Sequence, residues 1–249
     1  DEKHEADTSL VHPDARRMLL NQKSTNEAMR ALALWTAKQI ALSRWHPDEA
    51  KREVADDLAA LLAPIVKSYC TERGTQNISD AIQVCGGSGF TKDWCIEQYY
   101  RDTRITMIYE GTNHIQALDL VGRKLPRNGG RAMQTFGNVV TDVIRANKEN
   151  EKMQEFIEPL KAASKQLTAV TMELAAKGMG EPEEAGAVAS NYLNLFALTA
   201  LGLMWVRMAQ HAMTQSGSYA ETKIKLARYY FNQIMPESES LVALIRQGK

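Results

Sequence analysis

One acidic residue, Glu110, lies in a short break between two amphipathic stretches, within the sequence Ile-Tyr-Glu-Gly-Thr-Asn at positions 108–113. A carboxylate in such a break can approach a substrate carbon and remove a proton from it. In water a carboxylate is a weak base, and burial in a site that excludes water raises its pKa and makes it useful. Gly111 permits unusual backbone angles and leaves out a side chain that would crowd a ligand. Glu110 is therefore a candidate general base, although an acid at a helix end on a solvated loop has the same local pattern.

A glycine-rich turn precedes this acid in the sequence. Its pattern is Gln-x-x-Gly-Gly-x-Gly, with Gln83, Gly86, Gly87 and Gly89 at the named positions. Glycines without side chains let the backbone come close to a flat or phosphorylated ligand. The same residues also suit the end of a helix followed by a turn. The two interpretations are compatible, so the turn is a candidate cofactor contact and a candidate helix cap.

Helical periodicity dominates the elements that must position these residues, and it predicts an all-α fold. Apolar residues recur at steps of three and four within 13–43 and again within 54–70, where Pro64 is expected to kink the helix. The sequence at 126–130 is a turn-rich break, and four further helical patterns with a short last helix follow it. This second stretch is typical of a four-helix bundle with a tail.

The tripeptide His-Pro-Asp occurs at 12–14 and again at 46–48. Proline suits the first position of a helix, and an acid in the first turn interacts favourably with the helix dipole. Both copies are expected to start helices.

Composition excludes several classes of function. The chain of 249 residues has 30 basic and 30 acidic side chains, so its net charge of zero gives no footprint for nucleic acid or an anionic membrane. The 3 cysteines have no CxxC spacing, which favours a reducing, cytoplasmic compartment without a disulfide framework or a metal site. The apolar run at 185–208 contains polar residues and an arginine, so a buried helix is expected rather than a membrane span.

Three motifs in order carry a resemblance to a known family. They are the glycine turn at 80–90, the Gln-Tyr-Tyr-Arg-Asp-Thr-Arg-Ile helix at 98–105, and the segment at 108–116 that contains Glu110. Together they resemble the C-terminal helical domain of the acyl-CoA dehydrogenases. Residues 117–125 and the helical stretch after them resemble the enlarged branch with an extra C-terminal helical domain, which includes 3-methylthiopropionyl-CoA dehydrogenases. Arg101 and Arg104 in the second motif are expected to pair with acids or to cap carbonyl groups.

The resemblance implies roles for individual residues. Glu110 would take the α-proton of an acyl-CoA while the β-hydrogen leaves as hydride to flavin N5, and Gly111 would lie against the substrate. Thr112 and His114 would lie near the flavin or its diphosphate. The residues expected to contact the FAD of a neighbouring subunit are Gln83, Gly86 and Gly87. The partners implied are an acyl-CoA substrate, an electron-transfer flavoprotein and further copies of the chain in a homodimer or tetramer.

The same resemblance divides the chain into segments. Residues 1–11 are expected to be a linker or disordered, 12–125 to form the dehydrogenase C-terminal bundle without its first helix, and 131–249 to form the extra helical domain. The family's N-terminal helical and middle β-domains would precede Asp1. An apolar groove beside the 13–43 helix is therefore expected to be covered by another chain or by that extension.

Two alternative functions stay open at this level. An acyl-CoA oxidase shares the catalytic glutamate and much of this domain, but passes electrons to oxygen. A helical module that works only in subunit association is the other alternative, in which Glu110 has no chemical role.

Overall fold

A computed structural model describes residues 8–180 and 182–248, and all of the regular structure in these residues is helical. The chain is therefore all-α, as predicted. The α-helices are α1 (Pro13–Trp45), α2 (Glu49–Cys85), α3 (Gly87–Phe90), α4 (Ile96–Arg104), α5 (Asn113–Asp119), α6 (Arg131–Ala146), α7 (Gln154–Gly180), α8 (Pro182–Ala212), α9 (Ser218–Tyr229) and α10 (Glu237–Gln247). Two π-helical turns, Leu120–Lys124 and Tyr230–Ile234, continue α5 and α9. In the segment 1–11, predicted to be a linker or disordered, Ser9–Val11 forms a 3-10 turn, and residues 1–7 lie outside the described residues.

The two His-Pro-Asp copies start helices in different ways. Pro13 occupies the beginning of α1, as expected, where its missing N–H costs no hydrogen bond. In the second copy the proline precedes the helix, and Asp48 is the N-cap of α2, with its carboxylate accepting from the Ala50 N–H at 2.9 Å. An aspartate cap satisfies backbone N–H groups that the first turn of a helix leaves without partners.

Helix α2 is the long element that positions the candidate site. It is continuous from Glu49 to Cys85, so Pro64 does not interrupt it. The residues on either side of the proline, Leu61, Leu62 and Ile65, are fully buried. Burial of such side chains contributes about 1.5–3 kcal/mol each, which offsets the hydrogen bond lost at a proline.

Helix α8 forms the centre of the molecule. Its middle, around Phe196, Leu203 and Trp205, is fully buried and packs against the other helices. The stretch Glu183–Ala212 is long and apolar enough to cross a membrane, but 78% of its most apolar window is buried inside the fold. That burial is what a core helix needs, because a lipid-facing helix would leave its apolar side chains on the outside.

The two sequence segments share one continuous core, which runs from α1 to α10. Ion pairs between the described residues join them at three places, one of which is Lys223 of α9 with Glu27 of α1. Arg131 at the start of α6 binds the buried carboxylate of Asp57 through Nε at 2.6 Å and Nη2 at 3.2 Å. Arg73 of α2 binds Glu237 of α10 at 2.6 Å. The second segment thus packs directly on the helix that positions the candidate site.

Candidate functional site

Glu110 lies on the loop at 108–112, between a 3-10 turn that ends at Met107 and helix α5. Its φ is +55°, in the left-handed region that costs a non-glycine residue about 1–2 kcal/mol. Gly111 follows with φ +85°, where glycine is needed. The side-chain amide of Gln116 donates to the Glu110 carbonyl oxygen at 3.0 Å and closes the loop onto the first turns of α5. The loop therefore presents Glu110 in a defined and strained backbone conformation.

Asn113, the first residue of α5, fastens this loop to the middle of α2. Its Oδ1 accepts from Lys67 Nζ at 3.0 Å, and its Nδ2 donates to the Ser68 carbonyl oxygen at 3.1 Å. The Thr71 hydroxyl lies 3.2 Å from the same Oδ1 but only 2.8 Å from the Lys67 carbonyl oxygen. A hydroxyl has a single hydrogen, so the closer carbonyl takes it and the ammonium is the main donor to Asn113.

Lys67 is also electrostatically coupled to Glu110. Partial burial lowers the pKa of the Lys67 ammonium, and the negative charge of Glu110 acts in the opposite direction and raises it. Burial disfavours a charged ammonium, whereas a nearby carboxylate favours it. The ammonium that binds Asn113 therefore also experiences the charge of Glu110.

The Glu110 side chain is exposed, as are Gly111 and Thr112. Two apolar neighbours on the loop, Ile108 and Tyr109, are also open to solvent, with exposed fractions of 48% and 50%. The described residues thus present the acid on an open surface with apolar rims. They do not supply the burial that an effective carboxylate base needs.

The glycine turn ends α2. Gly86 caps the helix with φ +60°, and its N–H donates to the Gln83 carbonyl oxygen at 3.1 Å. Gly89 is buried, and a methyl group there would lie 2.7 Å from the Ile82 carbonyl oxygen. At Gly87 a methyl group would meet nothing within 4 Å. The positive φ therefore explains Gly86 and close packing explains Gly89, but neither explains Gly87.

The two predicted parts of the site lie at different places on α2. The Glu110 loop is held at Ser68, and the glycine turn begins at Gln83. At 1.5 Å per residue, the intervening stretch of helix separates them by about 22 Å. Glu110 and Gly111 therefore form one cluster with Thr112 and His114, and Gln83, Gly86 and Gly87 form another.

Thr112 and His114 both have structural partners. The Thr112 hydroxyl caps α5 by accepting from the Ile115 N–H at 3.4 Å. A ring nitrogen of His114, Nδ1, lies 3.1 Å from the Ser190 hydroxyl on α8. Both side chains are exposed, so these bonds leave room for a ligand, and the cofactor contact predicted for them stays a prediction.

The expectation for Arg101 and Arg104 was wrong in this structure. Both side chains are exposed, and neither makes a hydrogen bond or an ion pair within residues 8–180 and 182–248. Helix α4 buries none of its residues, so it brings no acid or free carbonyl group against these guanidinium groups.

Three residues that hold the loop were not predicted from the sequence: Lys67, Gln116 and Asn113. The one sign of such a role in the sequence was a lysine, Lys67, within the apolar stretch of α2. Its partner is 46 residues away in the sequence, so periodicity does not connect the two.

Comparison with known proteins agrees with this helical module and its acidic loop. Residues 5–125 match the family model described as Acyl-CoA dehydrogenase, C-terminal domain, and residues 133–249 match the model described as Acetyl-CoA dehydrogenase C-terminal like. The fold and the loop thus place the chain in the class of helical C-terminal domains that these family models describe. The chain belongs to the acyl-CoA dehydrogenase family.

A relative from Ruegeria pomeroyi, 3-methylmercaptopropionyl-CoA dehydrogenase, is 36% identical over 234 residues, which is 92% of this chain and 40% of the relative. The chain thus spans less than half the length of that protein. Two solved structures share the fold. Caenorhabditis elegans ACDH-11 in complex with C11-CoA has a TM-score of 0.79 at 21% identity, covering 92% of this chain and 37% of that one. An acyl-CoA dehydrogenase complexed with FAD from Bacillus anthracis has a TM-score of 0.68 at 20% identity, covering 94% and 41%.

Proposed function

We propose that this chain is the C-terminal part of an FAD-dependent acyl-CoA dehydrogenase, which forms a double bond between Cα and Cβ of an acyl-CoA thioester. In this proposal the Glu110 carboxylate takes the α-proton. The observation that supports it is the acid itself, exposed on a strained loop that Gln116 and Asn113 hold in place. Strained backbone at a chemically suitable residue is common at active sites.

The residues present fit a flavin cofactor. A methyl group at Gly87 would meet no atom within 4 Å, so the backbone there can come close to a flat ligand. Phe90 and Trp94, which follow it in the sequence, have exposed fractions of 79% and 61% and offer aromatic surface. FAD, when bound, supplies the acceptor for the β-hydrogen, which leaves the substrate as hydride to flavin N5. The residues proposed to contact FAD are Gln83, Gly86, Gly87, Thr112 and His114.

The substrate proposed is an acyl-CoA, either 3-methylthiopropionyl-CoA or a fatty acyl-CoA. The name of the Ruegeria relative supports the first of these, because that protein matches 92% of this chain. Gly111 would lie against the thioester, where a side chain would crowd it. Titration of the full-length flavoprotein with a panel of acyl-CoA thioesters, followed by bleaching of the flavin absorbance, distinguishes the two.

The decisive test replaces Glu110. In the full-length protein that contains this chain, Glu110→Gln is expected to keep FAD bound and to lose bleaching by acyl-CoA. A general base contributes about 10²–10⁴-fold to a rate, so the loss is expected to be at least that large. Glu149→Gln, at an exposed acid in the loop after α6, is the matched control and is expected to behave as wild type. Bleaching at the wild-type rate by Glu110→Gln would contradict the proposal and favour a module that serves association.

The electron acceptor and the assembly are parts of the same proposal. We propose an electron-transfer flavoprotein as the acceptor and a homodimer or tetramer as the assembled form. Oxygen uptake that matches substrate consumption in the absence of that acceptor would assign the protein to the oxidases instead. Light scattering of the full-length protein measures its assembly.

A further inference from the structure

We propose that Lys67 is a positioning residue for Glu110: through its hydrogen bond to Asn113 it holds the Glu110 loop in place. This inference rests on the proposed function, because it assigns a role in the same proton transfer. Lys67 belongs to α2 and lies outside the three motifs that carry the family resemblance.

The hydrogen bonds of Asn113 support this positioning role of Lys67. Its two side-chain atoms face opposite groups, with Oδ1 toward the Lys67 ammonium at 3.0 Å and Nδ2 toward the Ser68 carbonyl oxygen at 3.1 Å. An ammonium only donates and a carbonyl only accepts, so this orientation of the amide is the one that satisfies both. Loss of Lys67 removes the charged donor, and a hydrogen bond to a charged group is the stronger kind.

Asn113 is connected to Glu110 by a short and strained stretch of chain. Only Gly111 and Thr112 separate them, and both Glu110 and Gly111 have positive φ. Such a backbone persists where its surroundings hold it at more than one point. The two points are the Gln116 bond to the Glu110 carbonyl oxygen and the anchor of Asn113 on α2. Weakening the anchor lets the loop relax and moves the carboxylate.

The test uses the full-length flavoprotein and measures the rate of acyl-CoA-driven flavin bleaching together with the affinity for acyl-CoA. Lys67→Met is expected to lower the rate about 10- to 100-fold, the effect of a displacement of about 1 Å, with little change in acyl-CoA affinity. Lys67→Arg keeps a charged donor for Asn113 and is expected to recover most of the rate. Lys38→Met, at an exposed lysine of α1, is the control for removal of a lysine charge.

A second variant tests the anchor itself. Asn113→Ala is expected to slow bleaching, and its effect on the rate is expected to be non-additive with that of Lys67→Met, because both break one anchor. Should Lys67→Met not fold, Lys67→Gln, which keeps a neutral donor for Asn113, takes its place in this comparison.

The outcomes are distinct. Wild-type bleaching in Lys67→Met, with Glu110→Gln inactive, would overturn this inference and leave the proposed function standing. A slow Lys67→Met with a wild-type Asn113→Ala would reduce Lys67 to packing and also overturn it. Activity in Glu110→Gln would instead remove the proposed function itself.

Discussion

Two glycines of the turn after α2 should respond in opposite ways to the same added methyl group. At Gly89 the new Cβ would lie 2.7 Å from the Ile82 carbonyl oxygen, 2.9 Å from Cys85 Cβ and 3.0 Å from Ile82 Cα. Two of these three atoms belong to the backbone at the end of α2, so they cannot turn away as a flexible side chain would. Overpacking of this kind costs about 1–3 kcal/mol.

At Gly87 the same methyl group would meet no atom within 4 Å, and this glycine does not have a positive φ. Replacing such a glycine by alanine stabilises a protein by about 0.4–1 kcal/mol, because it restricts the unfolded chain. The two variants are therefore expected to differ in unfolding free energy by about 1.4–4 kcal/mol. In a chain of this length each kcal/mol corresponds to about 2–4 °C in Tm.

Urea and thermal unfolding followed by far-UV circular dichroism measure the difference, since the fold is helical. Gly89→Ala is expected to unfold first and Gly87→Ala last, with wild type between them. Flavin content of the full-length protein gives the functional half of the experiment. Gly87→Ala is expected to lose FAD while its fold stays intact, because the open space at Gly87 is where the ligand is proposed to lie. Equal stability of Gly89→Ala and wild type, or a Gly87→Ala that unfolds with Gly89→Ala, would refute the packing argument.

Two further predictions concern a thiol and an ion pair. Burial raises the pKa of the Cys70 thiol to about 12, so at pH 8 only about one thiol in 10⁴ is the reactive thiolate. Iodoacetamide is therefore expected to label the exposed Cys85 well before Cys70. Equal labelling of the two cysteines, measured by peptide mass spectrometry, would count against this burial. Glu237→Gln is expected to destabilise the chain by about 1–3 kcal/mol in urea unfolding, because it leaves the Arg73 guanidinium, 10% exposed, without its charged partner. Arg73→Met is expected to lower the unfolding free energy by less than Glu237→Gln does, since the Glu237 carboxylate, 45% exposed, returns to water. The reverse order of the two losses would show that the ion pair does not depend on burial of the arginine.

The helices were predictable where apolar residues recur at helical spacing. Helix α1 was predicted over 13–43 and runs from Pro13 to Trp45. Helix α2 was predicted only over 54–70, and it continues to Cys85. Its later turns hide polar groups rather than an apolar stripe: Asn77 donates to the Thr25 hydroxyl of α1 at 2.9 Å, and both residues are buried. Hydrophobic periodicity does not report polar side chains that are buried as a bonded pair across two helices.

The candidate site was likewise predictable from the sequence only in part. The position of Glu110 on a break between helices was evident from the sequence, since glycine and the change in pattern mark it. Its anchor was not, because Lys67 and Asn113 meet only where α5 packs on α2. The exposure of the acid also had to be seen in the structure, since the sequence predicts what kind of site a base needs but not which surfaces surround it.

The sequence by itself determined an all-α chain, the order of three family motifs, and an acid followed by glycine at the point where a helix stops. These are local properties, set by periodicity, by the backbone freedom of glycine and by residue type. The tertiary structure alone decided that the glycine turn lies about 22 Å along α2 from the Glu110 anchor, and that a lysine in mid-helix holds the acidic loop. The physical reason is that hydrogen bonds between distant residues depend on how helices pack, and packing is a property of the whole chain.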